Sequence, residues 1–273
     1  MSNLSEQVRG LADAYGRGAH AYATVLDPTL EPMARCMIEL GGVSVSHRVL
    51  DLATGTGAIA RAAARTGAGV AALDLSGGML AIARRLSPRS ISFVRADASL
   101  LPFASQVFDA TTCGLSLSHF IDVPAVLAEV RRILRPGGVF VASTWGSAGT
   151  DPSFSAAFSV YKRHTRNKLR PFSTLLDEAS WVDPDRGREV IAASGLTSVE
   201  VITRRLAGAY GSSVAAVEWT LAWPLTAEGR DQLASATRDA LLTDAVAAVE
   251  AVGNLEWHRD VHYYRARAPG VSA

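Results

Sequence analysis

From Arg48 onward, short apolar runs alternate with longer stretches whose apolar residues recur every three or four positions. The short runs predict strands near 48–53, 69–75, 91–97, 108–115, 138–145, 198–206 and 255–267. The longer stretches predict helices near 57–66, 77–86, 124–134 and 184–194, with Pro136-Gly137-Gly138 ending one helix and turning into the next strand. This alternation implies crossover units and a mostly parallel, seven-stranded α/β sheet, doubly wound with helices on both faces. Residues 1 to about 40 read as helices broken at Asp27-Pro28. Residues 150–182 interrupt the rhythm, and 212–253 read as mostly helical with a break at Trp223-Pro224. The expected layout is one domain over 1–273. It comprises an N-terminal helical lid (1–44), a strand-and-helix core (45–149), and two cap segments (150–182 and 212–253).

Composition narrows the class. Apolar residues make up 48% and charged residues 19%, which suits a soluble globular enzyme. A net charge of +1 provides no field that would favour nucleic acid or a membrane surface. Two cysteines are too few for a disulfide framework or a cysteine zinc cluster. The polar start of the chain does not read as a signal peptide, and no run of 18 apolar residues predicts a membrane span.

The chemistry concentrates in Leu50 to Ala58, L-D-L-A-T-G-T-G-A. An acid ends an apolar strand, a glycine turn follows, and then a helix begins. A second strand ends at Asp74, with 16 residues between it and Gly57. This is the layout of a nucleotide pocket at strand ends. Residues 55–60 fit G-x-G-x-x-A, but Asp51 would repel the pyrophosphate that a dinucleotide places at a helix N-terminus. S-adenosylmethionine carries no phosphate and has a sulfonium and an ammonium, so an acid at the strand end suits it. Asp51 could instead cap the following helix.

The segments V-L-D-L-A-T-G-T-G, A-L-D-L-S-G-G-M-L, F-V-R-A-D-A-S-L-L-P-F, F-D-A-T-T-C-G-L-S-L-S-H-F and L-R-P-G-G occur in the order seen in class I S-adenosylmethionine-dependent methyltransferases. The chain resembles most the branch related to ubiquinone and menaquinone biosynthesis, over residues 45–145 and more loosely 183–205. The resemblance implies a Rossmann-like fold and methyl transfer to an O, N or C atom of a small molecule, a secondary metabolite or quinone-like compound, leaving S-adenosylhomocysteine. It implies that Asp51 and the backbone of Ala53, Thr54, Gly55 and Gly57 face the methionine part of the cofactor. Asp74, beside Leu75, would accept from the ribose hydroxyls. Met79 would pack on the adenine face, and Asp97 with Ala98 would sit at its edge. Leu115 and Ser116 would lie beneath the methyl group. Ala53 stands where the family commonly has glycine, and is expected to keep φ below zero.

His119, just after the fourth strand, is the candidate general base; a pocket-shaping histidine is the other reading. Tyr15, His20 and Tyr22 are candidate lid contacts and Trp181 a candidate cap contact, each with packing as its other role. The run Lys162 to Arg170 could hold an acidic group or form a solvated face. His258 and His262, four apart on a strand, lie about 13 Å apart, so no metal site is expected. The expected setting is cytoplasmic, with a small-molecule substrate, no nucleic-acid or membrane partner, and N-terminal helices that close the site or pair two copies. A non-methylating cyclase or isomerase on the same scaffold, and a protein or RNA methyltransferase, are the alternatives.

Overall fold

The computed structural model describes residues 2–146, 151–166 and 181–270. The N-terminal segment opens with helix α1 (Ser2–Ala21). The chain then loosens into a π turn (Tyr22–Leu26), tightens into a 3-10 turn at Asp27–Leu30, and continues as α2 (Glu31–Leu40). Asp27-Pro28 therefore shifts the helical pitch rather than ending the helical path.

The central unit follows as β1 (Arg48–Leu52), α3 (Ala58–Ala64), β2 (Gly69–Asp74), α4 (Gly77–Leu86), β3 (Ser92–Arg95), β4 (Phe108–Gly114), α5 (Val123–Ile133) and β5 (Leu134–Trp145). Next come α6 (Pro152–His164), α7 (Pro184–Ala193), β6 (Thr197–Ala209), α8 (Ser213–Ala222), α9 (Pro224–Asp231), α10 (Ser235–Val252) and β7 (Glu256–Arg267). The seven strands form one sheet in the order β3-β2-β1-β4-β5-β7-β6. β1 to β5 pair in parallel, and β7 runs antiparallel between β5 and β6.

Alternation along the strands sorts the core into two layers. Leu50, Phe140, Ala142 and Tyr264 face α5 and α7, packing with Leu127, Val130, Ile133 and Ile191. Their neighbours Val49, Val139, Val141 and Tyr263 face the opposite way, onto Met37 of α2 and Ile59 and Ala63 of α3. The cap helices share a third cluster, with Tyr161 of α6, Trp219 of α8 and Leu241 and Ala245 of α10.

Pro136-Gly137-Gly138 behaves differently from expectation. β5 already begins at Leu134, opposite Phe108, and the next pair is Val139 with Ala110. The Pro-Gly-Gly unit is thus a bulge inside the strand, with Gly137 at φ +75° and its N–H donated to Ala268. Of the basic run, Lys162 covers the Phe158 ring and His164 meets Asp244, while 167–170 lie outside the described residues. No helix among the described residues is long and apolar enough to cross a membrane.

Candidate active site

The carboxyl ends of β1, β2 and β4 open into a cavity of about 900 Å³ that continues beneath the cap. The parallel strands set its floor. β1 ends at Leu52, and the backbone turns through Ala53 at φ +50°, Gly55 at φ +55° and Gly57 at φ +92°. The turn is stitched to its neighbour strand, since Thr54 N donates to the Leu73 carbonyl at 2.9 Å and Gly55 N to Asp74 Oδ2 at 2.8 Å. Ser76 N donates to Asp74 Oδ1 at 2.8 Å. Each Asp74 oxygen thus holds one backbone donor and keeps a second acceptor direction. Burial pushes this carboxyl above its ordinary range, and the amides of Ser76 and Gly55 oppose that shift. A Cβ built on Gly55 would meet nothing within 4 Å, so the backbone is open to a ligand there.

At the far side of the floor, β4 passes Leu115, at φ +56°, and enters a 3-10 turn, Leu117–His119. The Tyr15 hydroxyl lies 2.7 Å from His119 Nε2, and the Ser118 hydroxyl 3.1 Å from Nδ1. Burial lowers the imidazole to a pKa of about 4, so the ring is neutral at pH 7. Tyr15 reaches it because α1 lies close against α4. A Cβ on Gly78 would come 2.5 Å from the Gly16 Cα, so glycine permits this approach.

A methyltransferase-domain family matches residues 50–142. The demethylmenaquinone methyltransferase of Renibacterium salmoninarum is 36% identical over 135 residues, half of this chain and 55% of the relative. That of Paenarthrobacter aurescens is 30% identical over 182 residues, covering 64% of this chain and 71% of the relative. The chain belongs to the class I methyltransferases. Within them it falls in the menaquinone-related branch, and its matches span about half to seven-tenths of these two relatives. The sheet and its helices also resemble Haemonchus contortus phosphoethanolamine N-methyltransferase 2, solved with S-adenosyl-L-methionine. The TM-score is 0.53 at 20% identity, over 87% of this chain and 52% of that one.

In this methyltransferase, Ala53, Thr54, Gly55, Asp74, Leu75, Met79, Asp97, Ala98, Leu115, Ser116 and His119 all line the one cavity. Met79 is buried. Asp97 is exposed, and its Oδ1 accepts from both the N–H and hydroxyl of Ser99. Ser116 donates to the Gly114 carbonyl. Tyr15, Tyr22 and Trp181 also reach the wall.

Four expectations need correction. Asp51 does not face the cavity: it is fully buried beneath the turn, accepting from Thr54 Oγ1 at 2.6 Å and Thr112 Oγ1 at 2.7 Å. Burial raises its pKa to about 6, against the pull of those hydroxyls. Ala53 takes a positive φ, accepting the strain that glycine would avoid. Gly57 is set back from the wall: a Cβ there would meet Ser87 Oγ at 3.2 Å and Arg61 at 3.3 Å. His20 is exposed and away from the wall.

Sequence reasoning missed two polar clusters. Asp27 accepts from the Thr56 hydroxyl and from Arg61 Nη2, tying the N-terminal segment to the strand-end turn, and Arg61 Nη1 also donates to the Thr56 carbonyl at 2.7 Å. Beneath the cap, Asp151 accepts from Phe154 N and Tyr210 Oη, both at 2.9 Å, and from Arg259 Nη2 at 2.8 Å. A signal for Arg259 was present: it shares strand parity with the buried Val261 and Tyr263, which is an unusual place for a cation. His262 bridges Thr203 Oγ1 and the Val182 carbonyl.

Proposed function

We propose that this chain moves a methyl group from S-adenosylmethionine to a small, quinone-like molecule held beneath the cap. The observation that carries this reading is the continuity of the cavity, from the Gly55–Asp74 cradle, past the Tyr15–His119 pair, to the aromatic walls of Trp145, Phe154, Trp181 and Trp223. The cradle fits the donor. Gly55 leaves its flank open, Asp74 has acceptor capacity for two hydroxyls, and buried Met79 offers a polarisable surface to a flat base.

When bound, S-adenosylmethionine supplies an electrophilic methyl group on a positively charged sulfur. The chain's task is to hold the acceptor atom in line at near-attack distance and to exclude water. Tyr22 and Trp223, whose rings meet edge to face, help to wall the site. Burial and the nearby Asp27 and Asp74 push the Tyr22 phenol above its ordinary range, so it remains a donor.

His119 then takes the proton at Nε2 once the acceptor displaces the Tyr15 hydroxyl from that atom. An imidazole whose pKa is about 4 is a poor base toward a free hydroxyl. It is adequate toward an oxygen that is gaining a methyl group, because a protonated ether is far more acidic than imidazolium. Proton transfer therefore accompanies methyl transfer, advancing as the new carbon–oxygen bond forms. A carbon acceptor on an electron-rich ring would use the same walls and need the base only to restore aromaticity.

The test is incubation of the purified protein with methyl-labelled S-adenosylmethionine and an extract of its native host, followed by separation of small molecules from polymer. Label in an aromatic small-molecule fraction is the expected result. Label confined to protein or RNA would overturn the reading.

A further inference from the structure

The cap side of the cavity carries a cation that the methyl-transfer chemistry does not use. Arg259 lines the cavity, yet its side chain is only 16% exposed. Its guanidinium lies 4.5 Å from the ring centres of Phe154 and Trp219 and 5.6 Å from that of Trp145. These rings fix its position. Asp151 neutralises it, and that carboxylate is itself held by the α6 N-terminus through Phe154 N and by Tyr210.

A guanidinium carries five N–H donors. Among the described residues, Arg259 donates one hydrogen bond, from Nη2 to Asp151 Oδ2. A mostly buried cation with unused donors is costly unless something else accepts from it. The cavity is where such an acceptor can enter. Its neighbouring walls, Trp145, Phe154, Phe158, Trp181 and Trp223, are flat and apolar. Asp151 sets a negative charge beside this cation. A fully ionised carboxylate ligand would meet the Asp151 charge. A ring oxygen, hydroxyl or carbonyl, would take the free donors without that repulsion.

We propose that Arg259 selects the substrate by donating hydrogen bonds to a ring oxygen of a planar conjugated molecule packed among these aromatic side chains. The inference rests on the methyl-transfer reading above and assigns a residue that selects the substrate at the same site. It makes Arg259 a specificity-determining residue, with Asp151 and Tyr210 positioning it.

The test uses the full chain saturated with S-adenosylhomocysteine, whose own affinity is first measured by calorimetry. Two probes of nearly equal shape are then compared by quenching of tryptophan fluorescence without oxygen: 1,4-dihydroxynaphthalene and 1,4-dimethylnaphthalene. The wild type should bind the dihydroxy probe roughly 10-fold or more tightly than the dimethyl probe, the scale expected for hydrogen bonds to a charged group. Arg259→Gln alone would strand the Asp151 charge and could unfold the cap, so it is paired with Asp151→Asn. In the double variant, the preference should shrink to about 2–3-fold with S-adenosylhomocysteine affinity unchanged. Arg259→Lys keeps the ion pair but loses the planar fork, and should give an intermediate ratio. Equal binding of the two probes by the wild type, binding of neither, or an undiminished preference in both variants would overturn the proposal while leaving the cofactor reading intact. Absence of S-adenosylhomocysteine binding by the wild type would overturn the methyl-transfer reading, and this proposal with it.

Discussion

The two ends of the cavity hold their polar groups in opposite ways. At the cradle, Asp51 is satisfied in part by Thr54, three residues on, and Asp74 by Ser76, two residues on. At the cap, Asp151 draws on Tyr210 and Arg259, 59 and 108 residues away. The cradle is built mainly within one crossover unit, from β1, its turn and β2, with Thr112 of β4 added beneath. The cap cluster exists only once β7 has been laid between β5 and β6. The first end is thus suited to a ligand shared across a family, and the second to one that differs between its members.

If this division is right, changes at each end should affect different measurements. The sharpest case lies at the junction. His119→Ala should lower turnover about 10²-fold, the contribution expected of a positioned base, while S-adenosylhomocysteine affinity stays unchanged. Near-normal turnover would reduce His119 to a wall residue and move the division toward the lid. A smaller effect is expected at the cradle. Asp74→Ala removes the acceptor for two backbone amides and for the ribose hydroxyls, and should weaken S-adenosylhomocysteine binding by about 1–3 kcal/mol. Calorimetry showing no change would break the ribose assignment and, with it, the view of the cradle as the cofactor end.

The same division explains what could be read from the sequence. Every strand and the cradle turn were legible, because apolar periodicity and glycine spacing are properties of contiguous residues. The Pro136–Gly138 bulge was misread since a bulge is defined by its partner strand, here Phe108 to Ala110. Asp51 was placed one layer too high because its second partner, Thr112, comes from β4. His20 was avoidable. It lies five residues from Tyr15, about 140° around a helix, whereas Tyr22 is seven away and within about 20°. The Asp27–Arg61 and Asp151–Arg259 pairs were beyond reach, since no local pattern specifies which distant charge will meet which.

The smallest net effect is in stability, where two opposing contributions partly cancel, and its sign separates Asp51 from His119. Asp51 has a folded pKa of about 6, raised from an ordinary value of 3.8, so the folded state holds this proton more tightly than the unfolded chain does. Its contribution is fully present below pH 4 and is lost as pH rises toward 6. His119 is the reverse: its pKa falls from 6.5 to about 4, so stability is lost as pH drops through that window. Between pH 4 and 6 the two slopes oppose each other, each worth roughly 1–3 kcal/mol. Asp51→Asn should remove the falling component, so that urea midpoints climb more steeply from pH 4.5 to 6 than in the wild type. His119→Ala should remove the rising component, so that midpoints decline relative to the wild type over the same interval. If Asp51→Asn runs parallel to the wild type, then the carboxyl titrates as an exposed one, and the buried hydroxyl-held acid beneath the cradle is wrong.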